Sequence, residues 1–211
     1  MVIESLELHD FRNIREASLS PCPGINILLG ENAQGKTNLM EAVWLCTGSR
    51  SFRGSRESQM IRFGAEAFRV ELSFRDRERL QNIRYSGGER RRKILLNGAP
   101  LRQPSQLSGV FPAVAFDPTG LDIVREGPEK RRQFLDNAIS QLKPPYAKYL
   151  AQYQAVLEQR NAILRDSERC RQFADTFDVW GMQLAKLGAA PSLYPAGYLK
   201  KLGPAAAEIY R

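Results

Sequence analysis

Residues 30–37 read GENAQGKT, and this octapeptide constrains the fold more than any other stretch of the chain. It matches the phosphate-binding pattern of Gly, four variable residues, Gly-Lys, then Ser or Thr. Its glycines let a backbone wrap around a phosphate, and the loop works only between a strand and the start of a helix. Both flanks fit. The preceding Ile25-Asn26-Ile27-Leu28-Leu29 is a short apolar run of the kind a buried parallel strand uses. The following Asn38-Leu39-Met40-Glu41-Ala42-Val43-Trp44-Leu45 is apolar at helical spacing. In this setting Gly30, Glu31, Asn32, Ala33, Gln34 and Gly35 are expected to cradle a nucleotide's phosphates. Lys36 should reach the β- and γ-phosphates, and the Thr37 hydroxyl should ligate Mg²⁺. The alternative is a glycine-rich turn that matches by chance.

Composition narrows the remaining classes. The chain has 211 residues, enough for one or two domains with a genuine core, and its hydrophobic content of 43% is ordinary for a globular protein. No stretch approaches the roughly 18 consecutive apolar residues that a membrane span requires, and the start MVIES lacks the basic region of a secretory signal. Cys22, Cys46 and Cys170 are scattered without metal spacing and read as reduced thiols. His9 is the only histidine and lies in a strand-like stretch, so a zinc site built from several histidines is not available. The net charge is +8, concentrated in the runs RSFRGSR (50–56), ERRRK (89–93) and KRR (130–132). Such runs suit a polyanion such as DNA, and they equally suit a solvated charged face.

Along the chain, residues 1–29 alternate in a strand-like way, predicting two antiparallel strands before the turn Pro21-Cys22-Pro23-Gly24 and then the buried strand that enters the loop. Phe68, Val70, Leu72 and Phe74 share one face of a further strand, and residues 80–85, 93–97 and 110–116 read as strands too. The middle is therefore β-rich and antiparallel. Beyond Pro128 the period turns helical. Tyr146, Leu150, Tyr153, Leu157, Arg160 and Leu164 follow steps of four and three, which fits either a coiled-coil hairpin or amphipathic packing on a neighbouring helix. Residues 180–211 are apolar but interrupted by Gly188, Pro191, Pro195, Gly203 and Pro204.

Two stretches imitate the remaining parts of an ATPase. Tyr85-Ser86-Gly87-Gly88-Glu89 resembles a signature motif, and Asp117-Pro118-Thr119-Gly120-Leu121-Asp122 resembles a Walker B aspartate with its following loop. A signature must begin a helix so that its positive dipole end faces phosphate. Here the Ser-Gly-Gly lies between β-like runs, where a hairpin turn is the simpler reading. Asp117 is followed by Pro118, not by the carboxylate that would orient an attacking water.

Several stretches together resemble the RecF family of bacterial DNA-repair ATPases, in the SMC-like branch of the ABC superfamily. They are LHDFRN (8–13), PGIN (23–26), GENAQGKTNLMEA (30–42), SFR (51–53), LNG (96–98), FDPTGL (116–121) and GPEKRRQFLD (127–136). The loop by itself indicates only a P-loop protein. The FRN opening combined with the GPxxRRxFLD block is far more specific, and the likeness covers nearly the whole chain, weakening after residue 188.

That resemblance implies an α/β fold: a P-loop ABC/SMC-type ATPase head, with a mixed sheet and an antiparallel β subdomain, followed by a helical arm. The boundary is expected near residue 125, with a partial head over 1–125 and the start of the arm over 126–211. Arg12 and Asn13 become candidate adenosine or phosphate contacts, and Arg53 a candidate for the nucleotide or DNA face. Arg131 and Arg132 stand either as partners of Asp136 or as DNA contacts. The family implies ATP and Mg²⁺ as cofactors. It implies single-stranded and junction DNA as the bound polymer, an ATP-dependent homodimer, RecR and RecO as partners in loading RecA, a part in the SOS response, and a cytoplasmic location.

Three departures bear on these expectations. Gly120 stands where the family has an acidic residue, and Pro191 and Pro195 fall where the arm should be continuous helix. The family's signature and Walker B strand lie in the last third of its chain, beyond Arg211. A C-terminally truncated protein is therefore expected, one that binds ATP but does not hydrolyse it. The rival readings are a P-loop kinase acting on a small molecule and a DNA-binding module whose loop is vestigial.

Overall fold

The computed structural model describes residues 1–89, 91–116, 120, 122–125, 127–165 and 177–209. The chain divides into two compact units, Met1–Ala115 and Phe116–Arg211.

The first unit is built on one six-stranded sheet. Its strands are β1 (Val2–Phe11), β2 (Ile14–Leu19), β3 (Ala67–Asp76), β4 (Arg79–Gly88), β5 (Arg92–Leu96) and β6 (Ala99–Leu101). Their order is β2-β1-β3-β4-β5-β6, and every neighbouring pair is antiparallel. Alternation decides which face is buried. Leu6 and Leu8 of β1, and Phe68, Val70, Leu72 and Phe74 of β3, turn inward with Ile83, Tyr85 and Ile94, while the residues between them face outward. Helix α1 (Lys36–Leu45) contributes Ala42 and Leu45 to the same core, joined by Met60, Leu107 and Phe111. Two tight turns set the register. Asn97 and Gly98, with φ of 51° and 81°, close β5 onto β6 as an Asn-Gly hairpin should. At the other end, Phe11 pairs with Ile14, so Arg12-Asn13 forms the two-residue turn between β1 and β2.

The Ser-Gly-Gly stretch is neither a helix start nor the turn expected for it. Ser86 and Gly87 lie within β4, paired on one side with Arg69 and Phe68 and on the other with Lys93 and Arg92. Gly87 is needed for packing: a Cβ there would clash with Cε1 of Phe68, whose ring lies parallel to that of Tyr85. Gly87→Ala is accordingly expected to destabilise the fold by about 1–3 kcal/mol, the usual cost of overpacking. Urea denaturation would show the shift.

Two apolar runs expected as strands do not join the sheet. Residues 25–29 have no strand geometry, and Ile25 and Leu29 are each 88% exposed. Residues 110–116 behave alike, with Phe111 buried but Val114 and Phe116 almost fully exposed. A run of this kind becomes a buried strand only where neighbouring strands supply backbone partners and a covering face. Among the described residues the sheet ends at β2 and β6, and nothing pairs with either run.

The second unit is helical: α2 (Asp122–Arg125), α3 (Pro128–Leu142), α4 (Pro144–Arg165) and α5 (Phe177–Ile209). Pro128 and Pro144 each occupy a helix's first turn, where the missing N–H costs nothing. The seam read from the sequence does pack on a neighbouring helix. Tyr146 meets Tyr194, Tyr153 lies against Gly188, and Arg160 sits 5.9 Å over the ring of Phe177, so α4 and α5 run antiparallel. The last contact explains an arginine in an apolar seam.

The break expected at Pro191 and Pro195 is absent, because α5 runs through both as one helix of 33 residues. Each proline forfeits one backbone hydrogen bond, and the packing of α5 on α4 on both sides of Pro191 offsets that loss. Asp136 is bound by the hydroxyl of Tyr146, which ties α3 to α4, while Arg131 donates to the Ile123 carbonyl at 3.3 Å. Burial raises the Asp136 carboxyl above its ordinary range, against the opposing pull of the Tyr146 hydrogen bond and of the Arg132 charge. The Asp117-Pro118-Thr119 stretch and Cys170 lie outside the described residues.

Candidate functional site

The loop at residues 30–37 has a backbone shaped around its glycines. Gly30 and Gly35 take φ of 151° and 100°, and Ala33 takes a left-handed φ of 64° that a residue with a side chain adopts only under constraint. Gly35 is the N-cap of α1. A Cβ on it would meet Oδ1 of Asn13 at 2.9 Å, so the β1–β2 turn is pressed directly against the loop. No side chain caps α1, and its first turn holds no acidic residue. Its N-terminal N–H groups and positive dipole end are therefore suited to an anion. The Lys36 ammonium curls over the loop and donates to the carbonyls of Gly30 and Glu31, both at 2.6 Å. Thr37 is exposed at the start of the helix.

A cleft of about 660 Å³ opens over this loop, a size suited to a small-molecule ligand. Asn32 to Asn38 line it together with Arg12, Asn13, Arg53, Gln59, Ile61 and Phe63. Of the sequence-derived candidates, Asn32 to Thr37 and both residues of the β1–β2 turn are thus brought together. Gly30 and Glu31 contribute through their carbonyls to Lys36.

Arg12 and Asn13, the candidate nucleotide contacts, line the cleft and are also tied to its walls. Arg12 makes a two-pronged ion pair with Glu41, at 3.0 Å from Nε and 2.7 Å from Nη2, and its Nη1 donates to the Gln59 carbonyl at 2.8 Å. Asn13 donates to the Ala33 carbonyl at 2.9 Å and accepts from Asn38 at 2.7 Å. Both residues hold the walls of the cleft together. Arg12 achieves this from a left-handed φ of 59°, a second constrained position at the same site.

Glu41 is the residue that the sequence reading missed. It was counted within an apolar helix, yet its carboxylate is fully buried and organises everything around it. Besides Arg12 it accepts from Ser51 at 2.5 Å, and Arg53 approaches to 3.8 Å while donating to Asn38 at 2.9 Å. A carboxylate taken out of water persists only when paired and hydrogen-bonded. The available signal was an acid one turn beyond Thr37, on a helix whose other inward residues are apolar. The basic loop 50–56 is pinned by the same helix, since the Trp44 indole donates to the Arg50 carbonyl at 2.8 Å and Phe52 packs edge-on against Trp44.

Among the described residues no cluster of three or more His, Cys, Asp or Glu could hold a metal. A Mg²⁺ here would take Thr37 and ligand oxygens, the arrangement usual for a cation that arrives with phosphates. The buried Cys46 thiol is pushed up to about 12 by loss of solvent and stays protonated, whereas Cys22 is exposed. Among the described residues no helix is long and apolar enough to cross a membrane.

Comparisons with known proteins agree with this architecture. The chain is 34% identical over 213 residues to the DNA replication and repair protein RecF of Lachnospira eligens, matching all of this chain and 59% of that protein. It is 38% identical over 192 residues to RecF of Ruminiclostridium cellulolyticum, matching 90% of this chain and 52% of the relative. A solved structure of the recombination mediator protein RecF-ATP in the RecFOR pathway superposes with a TM-score of 0.83 at 33% identity, over 95% of this chain and 54% of that one. The chain thus spans somewhat more than half the length of the relatives it matches. The family model described as "AAA domain" matches residues 5–178. With its P-loop backbone and RecF homology over nearly its whole length, the chain belongs to the AAA domain family, as a RecF-like member.

Proposed function

We propose that this chain binds ATP with Mg²⁺ in the cleft over residues 30–37 and acts in DNA recombination and repair. The observation that carries the reading is the loop itself. Glycine-shaped backbone, an uncapped helix N-terminus and a lysine held above it converge on one anion-sized place. In this reading Gly30 to Gly35 cradle the phosphates, Lys36 bridges the terminal pair and Thr37 contributes one oxygen to the metal. Bound Mg²⁺ neutralises phosphate charge. Arg12 and Asn13 fix the cleft through Glu41, Asn38 and Ala33. Residues 1–125 would be part of an ATPase head and 126–211 the beginning of a helical arm.

The DNA half of the reading is supported by the arginine-rich excess charge and by the position of the loop 50–56, whose Arg53 lines the same cleft. Homology to RecF extends the proposal to a cytoplasmic, ATP-dependent homodimer that meets single-stranded or junction DNA, works with RecO- and RecR-type partners and helps load RecA in the SOS response. Fluorescence anisotropy with a labelled junction oligonucleotide tests the DNA contact. Affinity is expected to fall by about tenfold or more between roughly 50 and 200 mM salt, as released counterions demand. Absence of binding at the lower salt would remove the DNA part of the proposal.

A further inference from the structure

Two chemically different surfaces line the cleft. Residues 32–38 offer backbone N–H groups and an ammonium, whereas Ile61 and Phe63 offer apolar side chains from a separate segment. That segment is held firmly. The Arg12 N–H donates to the Met60 carbonyl at 2.7 Å, and the Arg62 N–H donates to the Asp10 carbonyl at 2.8 Å, so Ile61 forms an isolated antiparallel bridge with Phe11. Met60, the last residue of a short 3-10 turn (Glu57–Met60), is buried in the core, and Arg62 pairs with Asp10 at 2.6 Å. Ile61 packs partly against the core and, with Phe63, also lines the cleft. Phe63 is 98% exposed, so its ring is open to a ligand in the cleft.

We infer that Phe63, which lines the cleft together with Ile61, is the stacking platform for the nucleobase of the bound nucleoside triphosphate. The inference rests on the nucleotide reading given above and deepens it. The phosphates of such a ligand belong on the loop, which leaves its flat aromatic end for the other lining of the same cleft. An exposed aromatic face on an anchored backbone suits a flat π-system, because stacking removes apolar surface from water without recruiting hydrogen bonds. Stacking of this kind responds to ring area more than to edge pattern. The platform should therefore favour ATP and GTP over CTP and UTP, with little discrimination within the purine pair.

Calorimetry with two Mg²⁺-loaded probes, ATP and inorganic tripolyphosphate, separates base from phosphate. Phe63→Ala is expected to weaken ATP by about tenfold, within the range that loss of one base–aromatic stack produces, and to leave tripolyphosphate unchanged. Phe63→Trp should retain ATP, and its indole fluorescence should be quenched by ATP but not by tripolyphosphate. Because Phe63 is exposed, neither change threatens the core. Unchanged ATP affinity in Phe63→Ala, or equal weakening of both probes, overturns the platform while leaving the phosphate site standing. A wild-type chain that binds neither probe overturns the nucleotide reading and the platform with it.

Discussion

Replacing Lys36 with alanine is expected to weaken ATP binding on the order of a hundredfold, the equivalent of losing about 3 kcal/mol of charge-assisted contact with two phosphates. The fold should not notice. The Lys36 ammonium donates to the carbonyls of Gly30 and Glu31, both on an exposed loop, so thermal unfolding without nucleotide should stay within about 0.5 kcal/mol of wild type. A fluorescent ATP analogue titrated against both proteins provides the measurement. Equal affinities would mean that the loop is vestigial, and a DNA-binding module would then be the better description of the chain. Replacing Thr37 with valine is the gentler companion: it keeps the shape, removes one metal ligand, and should weaken binding only when Mg²⁺ is present.

The second large effect belongs to the Arg12–Glu41 pair and appears in stability as well as in binding. Arg12→Ala strips the main countercharge from a carboxylate with no exposed surface, a change that costs about 3–5 kcal/mol when a buried charge loses its partner. Ser51 at 2.5 Å and Arg53 at 3.8 Å remain, which places the expected loss at the lower end of that range. Glu41→Gln should cost less, because the amide oxygen can still accept from Arg12 or Ser51 without a buried charge to neutralise. Urea unfolding of both single mutants and the double mutant gives the coupling, expected to exceed about 1 kcal/mol for groups in direct contact. Additive effects would show that the pair contributes geometry only. Since Arg12 also holds the Gln59 carbonyl and turns beside Asn13, Arg12→Ala should weaken ATP in proportion to how far the cleft walls separate.

The particular elements show why some of this was legible beforehand. β3 could be read outright, since Phe68, Val70, Leu72 and Phe74 leave one register in which every apolar residue is buried. The Asn-Gly hairpin was equally plain, because its turn geometry depends on residue type alone. Residues 25–29 misled for the opposite reason. Their apolar character states what they would do if covered, and covering is supplied by other parts of a fold. Pro191 and Pro195 misled similarly: a helix that packs along α4 absorbs a missing hydrogen bond that an isolated helix would not.

The amino-acid sequence by itself determined the loop, its glycines, and the lysine and threonine that follow, because those features depend on local backbone freedom and on residues adjacent in the chain. Only the tertiary structure decided what Arg12, Asn13, Glu41, Ser51 and Phe63 do. They lie up to 51 positions apart, and they meet because an antiparallel hairpin, a helix and a bridged segment converge on one cleft. A buried carboxylate and an exposed aromatic ring read alike in a string of letters. Burial and partners, which long-range packing sets, tell them apart.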